Sequence, residues 1–176
     1  MAAIAAGGRH TAALKSDGTA VVWGGTASNL TRVPVGSNNV VAIAVGGSHI
    51  VALRANGTVV AWGDNTRGQF PAPTGLADVV AISAGLLHTV ALRVDGTVVA
   101  WGYNVQGQSS APENLKDILA VSAGLQHAVA LKKDGSVVEW GTSLLGQRMY
   151  QRYTLKSGSM VAIEAGSVYT VALKLD

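Results

Sequence analysis

Four tryptophans divide this chain at one fixed interval. Trp23, Trp62, Trp101 and Trp140 stand 39 residues apart, and a glycine follows each of them. The same step carries His10, His49, His88 and His127, and the turn pairs Asp17-Gly18, Asn56-Gly57, Asp95-Gly96 and Asp134-Gly135. When independent residue types share one period, a single supersecondary unit has been copied and stacked. The units run 1–39, 40–78, 79–117, 118–159 and an incomplete fifth, 160–176, and they read as one domain over 1–176. The fifth unit is displaced by 42 residues, so the connection after Trp140 carries three extra residues, and Tyr169 stands where the others have His.

Within a unit the pattern is that of short strands. Val40–Val45 is a β-branched run, Gly46-Gly47 a break, Ile50–Arg54 a second run, Asn56-Gly57 a hairpin signal and Thr58–Trp62 a third run. The expected fold class is therefore all-β, with a three-stranded antiparallel meander per unit. Near-continuous hydrophobicity of such short strands implies that both faces of each small sheet are covered. Sheets stacked face to face around an axis meet that demand, and small residues on the first strand, such as Ala81-Ile82-Ser83-Ala84, suit the crowded inner position. The reading is a β-propeller, or propeller arc, of about five three-stranded blades. An open solenoid is the alternative, although solenoid repeats usually contribute one strand per turn rather than a meander.

The pattern Gly-x-x-His-x-x-Ala-Leu-x-x-Asp-Gly-Thr-Val-x-x-Trp-Gly, seen in Gly85–Gly102 and followed by Asn104 and Gly107-Gln108, resembles the regulator of chromosome condensation repeat. The resemblance covers nearly the whole chain. The short period is similar to the bacterial branch, which has three-stranded blades and includes a secreted β-lactamase inhibitor shaped as a seven-bladed propeller. Three departures stand out: Asn29-Leu30 replaces Gly-Gln in unit one, Gln151 stands where Pro34, Pro73 and Pro112 do, and unit five stops before its Trp-Gly strand. With no third strand in unit five and none to spare at the N-terminus, an open arc would expose two apolar blade faces. Self-association or a protein partner is the expected consequence.

Composition removes other classes. The chain is 48% hydrophobic and 13% charged with no cysteine, which excludes disorder, a disulfide scaffold and thiolate chemistry. Polar residues interrupt every apolar run well before the roughly 18 residues of a spanning helix, and the N-terminus has no basic region of a leader, so localisation is unread. The repeat also dissolves most candidate chemistry. Histidines at the same point of successive blades stand too far apart to share a metal, whose ligands lie about 2 Å away; they are expected to be buried and bonded to backbone. The tryptophans read as blade packing. No carboxylate pair, nucleophile triad or phosphate loop stands outside the repeat, so no enzyme activity, cofactor or metal is expected. Glu164, in place of Ala5, Ala44, Ser83 and Ser122, is expected at a water-filled channel.

Function in a repeat scaffold resides in exposed turns that vary. The turns between first and second strands, with the exits of the third strands, share one face; the Asp-Gly turns lie on the other. Leu86, Leu87, Leu125, Leu144 and Leu145 sit at turns of the first face that need no apolar side chain, and are expected to form a contact patch. Arg148, Tyr150, Arg152 and Tyr153, in the expanded connector, have the residue types enriched at binding hot spots. On the opposite face, Lys15, Arg54, Arg93, Lys132 and Lys174 form a ring of cations, with Asp17, Asp95, Asp134 and Asp176 two residues beyond four of them. Local pairing is expected to neutralise much of that ring, which disfavours nucleic acid despite a net charge of +3. The function expected is non-catalytic binding of another protein through one loop face, with self-association. Alternatives are a structural or adhesive virion or cell-surface assembly protein, and basic-face nucleic-acid binding.

Overall fold

The computed structural model describes residues 1–25, 28–142 and 160–174. Along the chain lie β1 (Ala3–Ala6), β2 (His10–Leu14), β3 (Ala20–Gly24), the single turn α1 (Ser28–Thr31), β4 (Val40–Val45), β5 (His49–Arg54), β6 (Val59–Gly63), β7 (Val79–Ala84), β8 (His88–Arg93) and β9 (Val98–Gly102). They continue as β10 (Ile118–Ala123), β11 (His127–Lys132), β12 (Val137–Gly141), β13 (Met160–Ala165) and β14 (Thr170–Lys174). Neighbours in sequence pair antiparallel into four three-stranded sheets and the two-stranded sheet β13–β14. The expected all-β propeller of repeated blades is the fold observed.

The Asp-Gly turns explain why the second and third strands meet where they do. Gly18, Gly57, Gly96 and Gly135 have φ between 76° and 79°, a region open to glycine without steric cost. In the same turns Asp17, Asp95 and Asp134 accept the N–H of Thr19, Thr97 and Ser136 at 2.9 Å. Turn chemistry thus sets the register of every hairpin.

Packing lies between blades rather than within them. One apolar cluster joins Ala12, Leu14 and Val22 of the first blade to Val45, Ile50, Ala52 and Trp62 of the second. A second sets Leu53 against Val79, Ala91 and Trp101; a third sets Val90 and Leu92 against Ile118, Ala128, Ala130 and Trp140; a fourth sets Val129 and Leu131 against Ala165 and Ala172. Each cluster is an interface, so no blade has a core of its own.

Two rows of backbone bonds tie the blades together. At the Asp-Gly end, Val40, Val79 and Ile118 donate their N–H to the carbonyls of Gly18, Gly57 and Gly96 in the preceding blade, at 3.1, 3.1 and 3.4 Å. At the other end, the N–H of Gly47, Leu86 and Leu125 reaches Gly85, Gly124 and Ser167 of the following blade, at 3.2, 3.2 and 3.3 Å. The tryptophans add a third tie: the indole N–H of Trp62, Trp101 and Trp140 donates to the carbonyls of Leu30, Gln69 and Gln108 at 2.9, 2.9 and 3.0 Å.

The two ends of the array are uncovered. Trp23 is 45% exposed, against 4 to 7% for its three counterparts, and Ile4 and Val21 lie exposed beside it. On the last blade Val171 and Leu173 are 55% and 61% exposed, whereas Val129 and Leu131 at the same positions of blade four are at 0% and 1%. The arc therefore presents one bare blade face at each end.

Candidate protein-binding face

The turns between first and second strands converge on a cavity of about 370 Å³ at one end of the propeller axis, bordered by Gly7-Gly8, Gly46-Gly47, Gly85-Leu86, Gly124-Leu125 and Gly166-Ser167. Paired glycines make this convergence possible. A Cβ on Gly46 would strike the carbonyl of Gly85 and the ring of His49, and one on Gly85 would strike the carbonyl of Gly124 and the ring of His88. The face is thus built from main chain, and the side chains beside the glycines give it its character.

Leu86 is 36% exposed, and its Cδ1 lies over Gly47 of the preceding blade. Leu125 borders the same cavity and is half-buried. Leu87 is also half-buried, and its carbonyl accepts the N–H of Tyr103 at 2.9 Å. The structure therefore brings Leu86 and Leu125 to one rim, with Leu87 one position outward. Leu144, Leu145, Arg148, Tyr150, Arg152 and Tyr153 lie outside the described residues.

Three sequence expectations need correction. The histidines are buried, and two of them bond hydroxyls of the next blade, partners the sequence did not suggest: His49 Nε2 bonds Thr89 at 3.0 Å and His127 Nε2 bonds Thr170 at 3.3 Å, while the rings of His10 and His88 interact with the main chain of His49 and His127. The corresponding residues for His10 and His88 are Ile50 and Ala128, which offer no hydroxyl, so those two rings have no side-chain partner among the described residues. Burial lowers all four, His49 and His88 to about 4, so the rings are neutral near pH 7.

Glu164 is the second. Its counterparts Ser83 and Ser122 accept the N–H of Ala123 and Ala165 in the following blade at 3.0 and 2.9 Å, so this position faces the neighbouring blade and not a channel. With no blade following, Glu164 stands exposed on the bare end of the arc.

The cation ring is the third. Among the described residues only Lys132 of that ring pairs with its Asp, at 3.7 Å to Asp134. Arg54 and Arg93 instead donate to the carbonyls of Gly36 and Ala77 at 2.7 and 3.2 Å. The carboxylates of Asp17, Asp95 and Asp134 are held below their ordinary range chiefly by the hydroxyls of Thr19, Thr97 and Ser136.

Sequence reasoning missed one recurring apolar feature. A bulge at the second residue of β4, β7, β10 and β13, absent from β1, turns Val41, Val80, Leu119 and Val161 outward, 44 to 55% exposed, at the Asp-Gly end. The sequence carried no signal for it, because the bulge shows only in the pairing, which sets Val40 opposite Arg54 and Ala42 opposite Leu53.

A family model described as the regulator of chromosome condensation (RCC1) repeat matches residues 1–29, 40–69 and 79–108, half of the chain. The chain belongs to that repeat family. Its fold matches Prp20p from Saccharomyces cerevisiae, in a structure described with binding properties to Gsp1p and histones, at 20% identity and a TM-score of 0.81, covering 99% of this chain and 56% of that one. Yeast RCC1 (Prp20) bound to Kap60 matches at 24% identity and 0.75, covering 95% and 52%. The ectodomain of the Physcomitrella patens receptor kinase CR4 matches at 25% and 0.77, covering 96% and 47%. The RCC1-repeat chain described here thus spans about half the length of the solved structures it matches. No curated protein matches it in sequence. Among the described residues no group of three or more His, Asp or Glu could hold a metal ion, and no helix is long and apolar enough to cross a membrane.

Proposed function

We propose that this RCC1-repeat chain is a non-catalytic module that binds another protein through the face where the glycine turns converge. The observation that carries the reading is the rim of that face, where Leu86 and Leu125 stand beside main chain that needs no side chain to hold its shape. Apolar side chains on a rigid, largely backbone surface suit the well-packed centre of an interface. The connector residues Arg148, Tyr150, Arg152 and Tyr153, with Leu144 and Leu145, are proposed to belong to the same surface. The propellers that share the fold support a binding role, since Prp20p is described with Gsp1p and histones and in complex with Kap60.

The test is to identify proteins cross-linked to the purified chain and to repeat the capture with Leu87→Ser and Leu125→Ser. Loss of a specific partner with an unchanged melting temperature supports the reading. Unchanged capture with a lowered melting temperature overturns it.

A second reading, self-association, is favoured by the bare faces at the two ends of the arc. Their residues are those that meet at every internal interface, so Ile4, Val21 and Trp23 of one copy are complementary to Val171 and Leu173 of another. Light scattering reporting a stable monomer of 17.9 kDa overturns this second reading and leaves the first intact.

A further inference from the structure

Unit one departs from the repeat at three places that meet in space. Arg9 stands where the later units have Ser48, Leu87 and Gln126; Gly25 stands where they have Asp64, Tyr103 and Thr142; Leu30 stands where units two and three have Gln69 and Gln108. The later glutamines fill their sites. Gln69 and Gln108 are buried to 0% and 1% exposure, and their side-chain oxygens accept the N–H of Arg67 and Gln106 at 2.9 Å. In unit one Gly25 adds no side chain beside Leu30, whose Cδ1 would lie 3.9 Å from a Cβ there, and the glutamine's polar end is gone. The result is a pocket of about 320 Å³ lined by Gly8, Arg9, His10, Gly25, Leu30, Gly47 and Leu86.

The chemistry of the lining is simple. Leu30, Leu86 and the glycines form an apolar wall, and His10, 3% exposed and with no side-chain partner for its ring, forms part of the buried lining. Arg9 is exposed and supplies the guanidinium; among the described residues it pairs with no carboxylate. A volume of about 320 Å³ has room for a large aliphatic or aromatic side chain together with neighbouring atoms of its chain. An apolar wall with one cation at its edge selects an apolar group with an anion beside it, because the guanidinium forms charge-assisted bonds to carboxylate oxygens.

We infer that this pocket between the first and second blades receives a partner-protein segment in which one bulky apolar side chain is followed directly by a carboxylate. The inference rests on the turn face being the binding face and names the anchor it takes there. The three residues peculiar to unit one then act together: Gly25 places no side chain in the site, Leu30 makes it apolar and Arg9 sets its charge preference.

The probe is a capped peptide, Ac-Gly-Ser-Leu-Glu-Ser-Gly-NH2, against the same peptide with Gln for Glu, titrated into the isotope-labelled full chain and followed at the backbone amides of Gly8, Gly25 and Gly47. The expected result is shifts confined to those amides and their neighbours, with the Glu peptide binding about tenfold more tightly at low salt. Arg9→Gln removes that preference and leaves the weaker apolar binding. Gly25→Asn, which restores a side chain and tolerates the φ of 67° there, abolishes both. Should Gly25→Asn fail to fold, Arg9→Gln at its exposed site still decides. No shift with either peptide, equal affinity for the two, or undiminished binding to Gly25→Asn overturns the inference. So does equal binding of N-acetyl-leucine, which would make the pocket a small-molecule site. Leu87→Ser and Leu125→Ser lie outside this pocket, so their effect on partner capture judges the face as a whole independently of the pocket.

Discussion

His49 and Thr89 are 40 residues apart in sequence and joined side chain to side chain at 3.0 Å, across the interface between the second and third blades and out of contact with solvent. His127 and Thr170 repeat the pairing two blades on at 3.3 Å, while His88, between them, faces Ala128. The residue after the histidine in one unit therefore decides whether the histidine of the preceding unit has a hydroxyl partner. A buried bond of this kind is worth about 1 kcal/mol, and orphaning one partner costs more. Thr89→Val should destabilise by about 1–3 kcal/mol in urea unfolding. Ala128→Thr, which supplies His88 with the hydroxyl that its neighbours have, should raise the midpoint. A lowered midpoint in Ala128→Thr would show that the site has no room for the hydroxyl.

Acid should unfold the chain in a defined window. Burial, with repulsion from neighbouring histidines, holds His49 and His88 at about 4, against an ordinary 6.5 in the unfolded chain. Asp64 beside His49 and Glu139 beside His127 oppose the shift weakly. Because the unfolded chain binds protons that the native rings refuse, stability is complete above pH 6.5 and falls as pH drops toward 4. Each of the two histidines contributes a loss of at most about 3 kcal/mol over that interval. Denaturation midpoints at pH 7, 6, 5 and 4 measure it. Replacing His88 by Gln should flatten the slope by roughly half, and an unchanged slope would exclude the histidines as its source.

Trp101→Phe should cost about 1–3 kcal/mol, because it leaves the buried carbonyl of Gln69 without its 2.9 Å donor. Trp23→Phe should cost under about 0.5 kcal/mol, since Trp23 lies on the bare end of the array. Thermal unfolding of the two variants side by side provides the comparison; equal losses would mean that the first blade is covered in solution.

Gly46→Ala should be among the most damaging substitutions of one methyl group. The added Cβ collides with the carbonyl of Gly85, which is backbone and cannot swing away, and with the ring of His49. A loss of about 3 kcal/mol or more is expected, of the size reserved for overpacked sites. Gly68→Asn, at a φ of 74° with open space around the position, should cost well under that and serves as the control.

Much of the scaffold was readable from the chain because it is written four times. The strands begin and end within a residue of where β-branched runs and Asp-Gly pairs put them; Val40–Val45 was expected and is β4. The hydroxyl partners of the histidines were missed because that pairing crosses between units, and a unit read alone shows only that His is followed by Thr, Ile or Ala. Glu164 was misplaced for a related reason: side chains of an inner strand point toward adjacent blades, so a strand close to the axis does not line a channel with its alternate residues. The Gly25 pocket was half visible. Asn29-Leu30 is plainly a departure from Gly-Gln, yet that such a departure opens a cavity follows only once Gly25, Arg9 and Leu86 are seen around it.

That each cluster of apolar residues straddles two blades has a consequence for inheritance. Every unit has the same two complementary faces, so duplication or loss of a whole 39-residue segment joins surfaces that already fit. Excising residues 79–117 would set Val51 and Leu53 against Ala128, Ala130 and Trp140, a pairing of the kind found at each existing seam. Blade number is thus free to drift by recombination without a single compensating point mutation, whereas the set Arg9, Gly25 and Leu30, found in the first unit alone, would be diluted by every copy that lacks it.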